Sequence, residues 1–238
     1  MRTLVHGTIT HGKQFLSEKM RRRPTAYYGP SSGIGLALRE RGRGKPRRVG
    51  VVGLGAGTIA AYGRRGDYYR FYEINPLVVT LAGTEFSFLK DSGAEVQVML
   101  GDARLSMESE PPQKFDVLAV DAFSSDSIPV HLLTREAFEV YFRHLKEDGV
   151  LAVHVSNKYL DLPPVVRLAA LSFGKEAVIV DTEDEPEKAL YGSTWILMAD
   201  RRGFRARPAL KRSGKPLTER KNVHLWTDEY SNLFRILK

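Results

Sequence analysis

The stretch that most constrains the fold runs from Val49 to Asn75. It reads V-G-V-V-G-L-G-A-G-T-I-A-A-Y, then a polar break, then Y-Y-R-F-Y-E-I-N. We interpret it as a buried strand, a glycine-rich turn, a helix start and a second strand that ends in an acid. This is half of a nucleotide-binding βαβ unit, which predicts a parallel sheet covered by helices.

The glycines and the acid of this unit favour a nucleoside ligand. Gly53, Gly55 and Gly57 permit a sharp turn and a close approach of the backbone to a ligand, and Thr58 can start a helix whose free amides face that ligand. Glu73 follows Gly53 by 20 residues, the spacing at which an acid takes ribose hydroxyls. The alternative is a tight turn and an ordinary surface glutamate. The third glycine comes one residue early for a pyrophosphate loop, which favours an adenosyl ligand over NAD.

Strand and helix signals alternate through the rest of the chain. Further strands are predicted at 96–100, 115–120, 150–155, 177–180 and 194–198, and helices at 77–88, 134–145 and 162–173. The pattern predicts an α/β fold, a mainly parallel sheet with helices on both faces. We expect a short N-terminal appendage with a basic linker over residues 1–48 and an adenosyl-ligand-binding catalytic domain over 49–238.

Carboxylates follow three of the predicted strands. The carboxyl ends of parallel strands share one edge of a sheet, so Glu73, Asp102 and Asp121 should lie near the glycine turn. Asp102, with the Ala103 amide beside it, is a candidate to bind an adenine amino group. Asp121 is a candidate to face the reactive end of the ligand and take a proton. For each acid the alternative is a loop carboxylate that caps the next helix.

Composition excludes several classes of protein. The chain has no cysteine, so it has no disulfide and no thiolate chemistry, and a cytoplasmic location is expected. It has no run of 18 apolar residues, so no membrane span is expected. The net charge of +8 is uneven, with basic flanks at 1–48 and 200–221 around an acidic body. Such flanks suit RNA, anionic lipid or an acidic partner; we favour an ordinary solvated surface, because no aromatic residue interleaves with the basic run 41–48.

The remaining polar residues give weaker signals. His154 lies in an apolar strand and is interpreted as a core residue. His6, His11 and His131 lack metal-ligand spacing, so no metal site is predicted, and no Ser/His/Asp arrangement is evident. Asp126 lies in a serine-rich turn that is stable without a ligand.

Eight segments together resemble the spermidine synthase family, the polyamine aminopropyltransferases. They are H-G-K-Q, P-T-A-Y-Y-G, G-L-G-A-G, Y-E-I-N-P, L-G-D-A-R, F-D-V-L-A-V-D-A-F-S-S-D-S-I-P, L-A-V-H-V-S-N and W-T-D-E-Y-S-N-L. Any one of them would indicate only an adenosylmethionine-type fold. The similarity is greatest to the spermidine synthase-like proteins that many bacteria fuse behind a membrane domain, so the chain is expected to be a free-standing version or a soluble piece of one.

The resemblance implies a class I methyltransferase-like Rossmann fold with a seven-stranded sheet. It implies decarboxylated S-adenosylmethionine, or S-adenosylmethionine itself, as ligand, a diamine or polyamine as acceptor, and a homodimer. Asp121 would be the base that deprotonates the attacking amine, which displaces methylthioadenosine. Gln14, Tyr28 and Tyr191 fall where the family places polyamine-pocket residues, and Asp126 corresponds to the second acid of the family's catalytic loop.

Three departures from the family keep other functions open. The glycine loop carries Ala56 where the family has an acid that holds the aminopropyl nitrogen. Asp121 and Asp126 are five residues apart rather than three, and the part ahead of Val49 is shorter than the family's strand-rich domain. A methyltransferase acting on RNA or a small molecule, and a non-catalytic polyamine or nucleoside sensor, are therefore alternatives to an aminopropyltransferase.

Overall fold

A computed structural model describes residues 1–7, 9–40, 45–122 and 129–238. Its strands are β1 (Arg2–His6), β2 (Ile9–Gln14), β3 (Arg48–Val52), β4 (Tyr68–Glu73), β5 (Glu95–Leu100), β6 (Phe115–Val120), β7 (Leu145–His154), β8 (Glu176–Thr182), β9 (Ser193–Ala199) and β10 (Lys215–Pro216). Its α-helices are α1 (Gly33–Glu40), α2 (Pro76–Thr84), α3 (Phe88–Asp91), α4 (Ala103–Ser109), α5 (Arg135–His144), α6 (Pro163–Ser172), α7 (Arg201–Ala206) and α8 (Pro208–Ser213).

The central sheet has the order β10-β8-β9-β7-β6-β3-β4-β5. The neighbours from β7 to β5 pair in parallel, whereas β9 is antiparallel to both β7 and β8. This confirms the predicted α/β fold with a mainly parallel sheet. The expected count of seven strands is wrong by one in the described part of the chain. The extra strand, β10, pairs with β8 through only two residues, too few for a periodic signal in the sequence.

Burial along the strands follows their place in the sheet. All six residues of β6 are buried, because this central strand has covered faces on both sides, and its apolar run is continuous for that reason. The edge strand β5 has no fully buried residue. One core cluster lies under α5 and α6, and another lies under α1, so helices cover both faces as expected.

The part ahead of Val49 contacts the sheet in two places. The antiparallel hairpin of β1 and β2 lies over the glycine turn, where a Cβ added to Gly12 would come 2.5 Å from the Cβ of Ala56. The helix α1 packs against β9, and a Cβ on Gly33 would overlap Trp195. Residues 1–48 thus supply both a cover for the turn and a helix of the sheet's outer layer. The domain division at residue 48 stays a prediction.

The C-terminal segment is anchored by one buried aromatic side chain. Trp226 is 1% exposed, and its carbonyl oxygen accepts the Arg135 amide at 2.8 Å. Two residues later, Asp228 accepts bonds from Arg104 and from Thr134 Oγ1, the latter at 2.8 Å. The C-terminal segment therefore packs against the starts of α4 and α5. Of the helices described, none is long and apolar enough to cross a membrane.

A buried ion pair joins the segment before β3 to the turn before β4. Arg47 is 4% exposed and Asp67 is 2% exposed, and Nη2 lies 2.6 Å from the carboxylate Oδ2. The guanidinium also donates to the carbonyl oxygens of Leu38 and Tyr62. Burial alone would raise the pKa of Asp67, but the hydrogen bonds from Arg47 outweigh it and hold the pKa below its ordinary value.

Breaking this pair should destabilise the fold. We expect Asp67→Asn to lower the free energy of unfolding by about 3–5 kcal/mol, because it leaves the Arg47 charge buried without its counter-ion. Glu147→Gln is the control: Glu147 pairs with Arg202 at 2.7 Å, but both side chains are more than 70% exposed, so the loss should be about 1 kcal/mol or less. Denaturant unfolding measures both.

The Arg47–Asp67 pair makes the stability of the fold depend on pH. The folded-state pKa of Asp67 is depressed, so its stabilisation is present above the unfolded value of about 3.9. It is lost as the pH falls through the folded value. The difference in stability between wild type and Asp67→Asn should shrink below about pH 4. A difference that stays constant down to acid unfolding would contradict this account.

Candidate active site

The glycine turn packs directly between two other elements. Gly53, Gly55 and Gly57 have φ of 95°, 52° and 78°, values that favour glycine. A Cβ at Gly53 would overlap the carbonyl oxygen of Asp121, and one at Gly55 would lie 2.7 Å from that of His11. The turn is therefore held between the end of β6 and β2, and there is no room for a side chain at Gly53 or Gly55.

The helix expected after this turn is a short 3-10 helix, Thr58–Tyr62, that ends at Gly63. Gly57 is its N-cap in the left-handed conformation, so Thr58 starts the helix without capping it through its side chain. The Thr58 hydroxyl is buried and has no hydrogen-bond partner among the described residues. Buried hydroxyls are normally bonded, so Thr58 is a candidate to bind a polar atom of a ligand at this turn.

The Glu73 carboxylate is fixed at the tip of β4. One of its oxygens accepts the Leu54 amide of the glycine turn at 3.0 Å, and the other accepts the Asn75 amide at 2.9 Å. Each carboxylate oxygen has a further acceptor site. The predicted ribose-binding acid thus points at the turn and retains capacity for a hydroxyl pair.

Asp102 adopts the capping role that the sequence left open. Its Oδ1 accepts the Leu105 amide at 2.9 Å as the N-cap of α4, and its Oδ2 lies 3.1 Å from His131 Nε2. Ala103 is buried behind it. A cavity of about 510 Å³, lined by Asp102, Leu105, His131 and Thr134 among others, opens beside the carboxylate. Its volume is within the range of small-molecule sites.

The Asp121 carboxylate is buried and bonded at both oxygens. Tyr28 donates its hydroxyl to Oδ2 at 2.6 Å, and His154 Nδ1 lies 2.7 Å from Oδ1. Burial alone would raise the pKa of Asp121, but the neighbouring His154 and the hydrogen bonds from His154 and Tyr28 hold it below its ordinary value. Burial and the Asp121 charge raise the pKa of the Tyr28 hydroxyl well above its ordinary value. The site therefore pairs an ionised carboxylate with a neutral phenol.

His154 is the site residue that the sequence missed. An apolar strand predicts a core histidine, and the ring is indeed 5% exposed. However, β6 and β7 pair in parallel with Val120 beside Val153, so the next residues, Asp121 and His154, end the two strands side by side. Predicting this role for His154 requires knowing that β6 and β7 are neighbours in the sheet, and the sequence of one strand does not show which strand lies beside it.

An aromatic row leads from His154 towards the surface. The row consists of Trp195, His154, Tyr27 and Tyr191. Its ring centroids are 4.6, 5.4 and 5.4 Å apart in that order. The Lys13 ammonium lies over the Tyr191 ring, 4.5 Å from its centroid. The row thus offers aromatic faces to cations, and one such cation is already in place.

Other predicted site residues lie differently. The Gln14 amide is 3% exposed and fully engaged: it donates to Ser87 Oγ and to the Arg21 carbonyl, and it accepts the Ser87 amide. It holds β2 against the start of α3, and its substrate role stays a prediction. Asp126 lies outside the described residues. No group of metal-ligating side chains occurs in the ranges that the structure describes.

Sequence comparisons place the chain beside polyamine enzymes. No protein-family model matches it. It is 31% identical over 115 residues to a polyamine aminopropyltransferase of Vibrio vulnificus, a match that covers 46% of the chain and 38% of that protein. It is 30% identical over 111 residues to a probable polyamine aminopropyl transferase of Bifidobacterium longum, covering 44% and 23%. The match thus spans well under half the length of these relatives.

Solved structures show the same fold. A spermidine synthase from Thermotoga maritima superposes with a TM-score of 0.53 at 16% identity, covering 84% of this chain and 69% of that one. A spermidine synthase in complex with the transition state analogue AdoDATO gives 0.52 at 16%, covering 79% and 66%. The chain is thus similar in sequence to polyamine aminopropyltransferases over part of its length, and similar in fold to spermidine synthases. A precorrin-6y C5,15-methyltransferase from Geobacter metallireducens gives 0.54 at 14%, covering 70% and 86%, which fits the class I methyltransferase-like Rossmann fold.

The glycine turn should not tolerate a side chain. We expect Gly53→Ala to lower the free energy of unfolding by at least about 1–2 kcal/mol, because it combines a left-handed conformation with a backbone overlap at Asp121. It should also weaken binding of adenosyl ligands, measured by calorimetry, more than tenfold, about 1.4 kcal/mol.

Gly83→Ala is the matched control. Gly83 lies in α2 with no atom within 4 Å of an added Cβ, so this variant should gain about 0.5–1 kcal/mol and bind like wild type. Equal stability and equal binding of the two variants would show that the turn does not depend on close backbone packing.

Proposed function

We propose that the chain is an aminopropyltransferase, a transferase that moves the aminopropyl group of decarboxylated S-adenosylmethionine to a diamine or polyamine. The observation that carries this proposal is the buried Asp121 carboxylate, held by Tyr28 and His154 at the sheet edge beside the glycine turn. The similarity to polyamine aminopropyltransferases supports the same reaction class. So does the solved spermidine synthase that binds a transition state analogue.

The adenosyl part of the ligand would lie along the carboxyl edge of the sheet. The backbone of Gly53, Gly55 and Gly57 permits its close approach, and Glu73 accepts the ribose hydroxyls. The cavity beside Asp102 receives the adenine, with the Ala103 amide next to that carboxylate. The adenine would then lie at the end of β5, the ribose at the end of β4 and the sulfonium near Asp121 at the end of β6. There the ionised carboxylate stabilises the positive charge on sulfur.

The acceptor would approach along the aromatic row. A polyamine is a flexible polycation, and faces of aromatic rings bind alkylammonium groups. Lys13 over Tyr191 is an internal example of that interaction. From Tyr191 the row passes Tyr27 and reaches His154, which is bonded to Asp121, so an ammonium that travels along it reaches the carboxylate. Tyr191 of the row, and Tyr28, which donates to Asp121, are proposed as acceptor-binding residues.

The chemical step needs one proton acceptor. The attacking ammonium loses a proton to Asp121, and its freed lone pair forms a C–N bond to the aminopropyl carbon next to sulfur. The C–S bond breaks, its electron pair goes to sulfur, and methylthioadenosine leaves. Because the pKa of Asp121 is below its ordinary value, the carboxylate is ionised before the amine arrives and orients it. Positioning of a general base of this kind typically contributes about 10²–10⁴-fold to the rate.

Ligand preference and turnover test the proposal together. We expect tighter calorimetric binding of decarboxylated S-adenosylmethionine than of S-adenosylmethionine, and release of methylthioadenosine only when an amine is added. Asp121→Asn should lower that release by at least about 10²-fold. Glu147→Gln is the control. Glu147 lies near the start of β7, at the opposite end of the strand from His154, so this variant should turn over like wild type.

The competing outcomes are distinct. Tighter binding of S-adenosylmethionine, with formation of S-adenosylhomocysteine, would make the chain a methyltransferase. Binding of a polyamine without any turnover would make it a sensor. Undiminished release by Asp121→Asn would remove Asp121 as the base while leaving the transfer reaction in place.

A further inference from the structure

The His154 ring is fixed in one orientation from three sides. It stacks on Trp195 with a centroid separation of 4.6 Å and an interplanar angle of 14°. Its Nδ1 lies 2.7 Å from Asp121 Oδ1, and its Nε2 lies 2.7 Å from Ser156 Oγ. Ser156 Oγ in turn accepts the Thr194 amide at 2.8 Å. The line Asp121–His154–Ser156 is therefore continuous and anchored to the backbone of β9.

The hydrogen-bond inventory assigns the proton on this ring. The Thr194 amide occupies one acceptor position of Ser156 Oγ, so the Ser156 hydroxyl proton has Nε2 as its nearest acceptor. A neutral imidazole that accepts at Nε2 carries its proton at Nδ1 and donates it to Asp121. Every polar atom of the line is satisfied in this arrangement, and the Asp121–His154 pair then carries one negative charge.

We propose that His154 is a positioning and proton-sharing residue for Asp121, so that the group that accepts the substrate's proton is the Asp121–His154 pair and not the carboxylate alone. The role in turnover rests on the proposed function, whereas the pairing itself does not. In the step, the ammonium loses one proton and the pair gains one, which makes the pair neutral. The pair returns that proton to water after the product leaves.

The surroundings of the pair bear on its titration. Among the described residues, Tyr28 donates to Asp121, Tyr27 lies beside the imidazole, and His11 of β2 is close enough to lower the pKa of the carboxyl. Burial raises the pKa of the Tyr27 hydroxyl, and the nearby Tyr191, Asp121 and Asp184 raise it further. Tyr27 and Tyr28 therefore both stay neutral where the pair titrates.

The first test uses the ligand-free chain and needs no turnover. Histidine ring signals are followed by NMR in wild type and in Asp121→Asn. We expect the ring ¹⁵N shifts to place the proton at Nδ1 in wild type, and the His154 signals to move in Asp121→Asn, where Nδ1 has lost its carboxylate acceptor, with the His144 and His224 signals unchanged. A His154 ring whose signals do not move, or whose proton lies at Nε2, would overturn the pairing, and His154→Gln assigns the signal.

The second test measures the pH profile of methylthioadenosine release. The acidic limb of kcat/KM reports loss of the ionised Asp121 carboxylate. Because His154 lowers the pKa of that carboxyl, the limb should move to higher pH in His154→Gln. The plateau of kcat should also fall about tenfold or more. A limb that keeps its midpoint would show that His154 only packs. If His154→Gln does not fold, the NMR comparison decides alone; if no release occurs in wild type, the proposed function fails while the NMR result still stands.

Discussion

The parallel pairing of β6 with β3 on one side and β7 on the other is the constraint on which the site depends. The register sets Val120 beside Val52 and Val153, so the next residue of each strand reaches the same edge. Those next residues are the first glycine of the turn, the buried carboxylate and the histidine bonded to it. Since the first glycine has no Cβ, its backbone can contact the carbonyl oxygen of Asp121. A slip of one residue in the β3–β6 pairing would separate Gly53 from Asp121, and a slip in the β6–β7 pairing would separate Asp121 from His154.

The sequence predicts the parts of this site that depend on local structure. A continuous apolar run predicts a central strand, a glycine cluster predicts the turn, and an acid directly after a strand predicts a carboxylate at the sheet edge. Glu73 and Asp121 lie at such positions, and Glu73 reaches the turn through Leu54. The parallel sheet makes these local signals meet, so the fold class and the meeting of the strand ends both follow from periodicity and spacing.

What the sequence does not predict depends on which elements become neighbours. The apolar strand around His154 predicts a core residue. His154 has a carboxylate partner only because β6 and β7 are neighbours in the sheet. Gln14 contacts Ser87, 73 residues away, so the pattern around either residue cannot show that the amide is engaged. Asp102 takes His131 as a second partner through the same kind of distant contact. Tertiary packing determines which polar groups pair over long sequence distances, and the residue pattern of a single segment does not predict those pairs.

The residue at position 56 bears both on the packing of the β1–β2 hairpin and on the ligand that the glycine turn can accept. Ala56 is buried with Phe86 and Phe88, and β2 passes so close that a Cβ added to Gly12 would lie 2.5 Å from the Cβ of Ala56. An acid at position 56 would be buried beside these apolar groups, and burying an unpaired carboxylate has a large cost in free energy. The apolar residue and the closely packed hairpin therefore belong to one arrangement. Under the proposed function, discrimination against a ligand that carries an extra carboxylate would rest on Asp121, whose ionised form repels a second negative charge and attracts an amine.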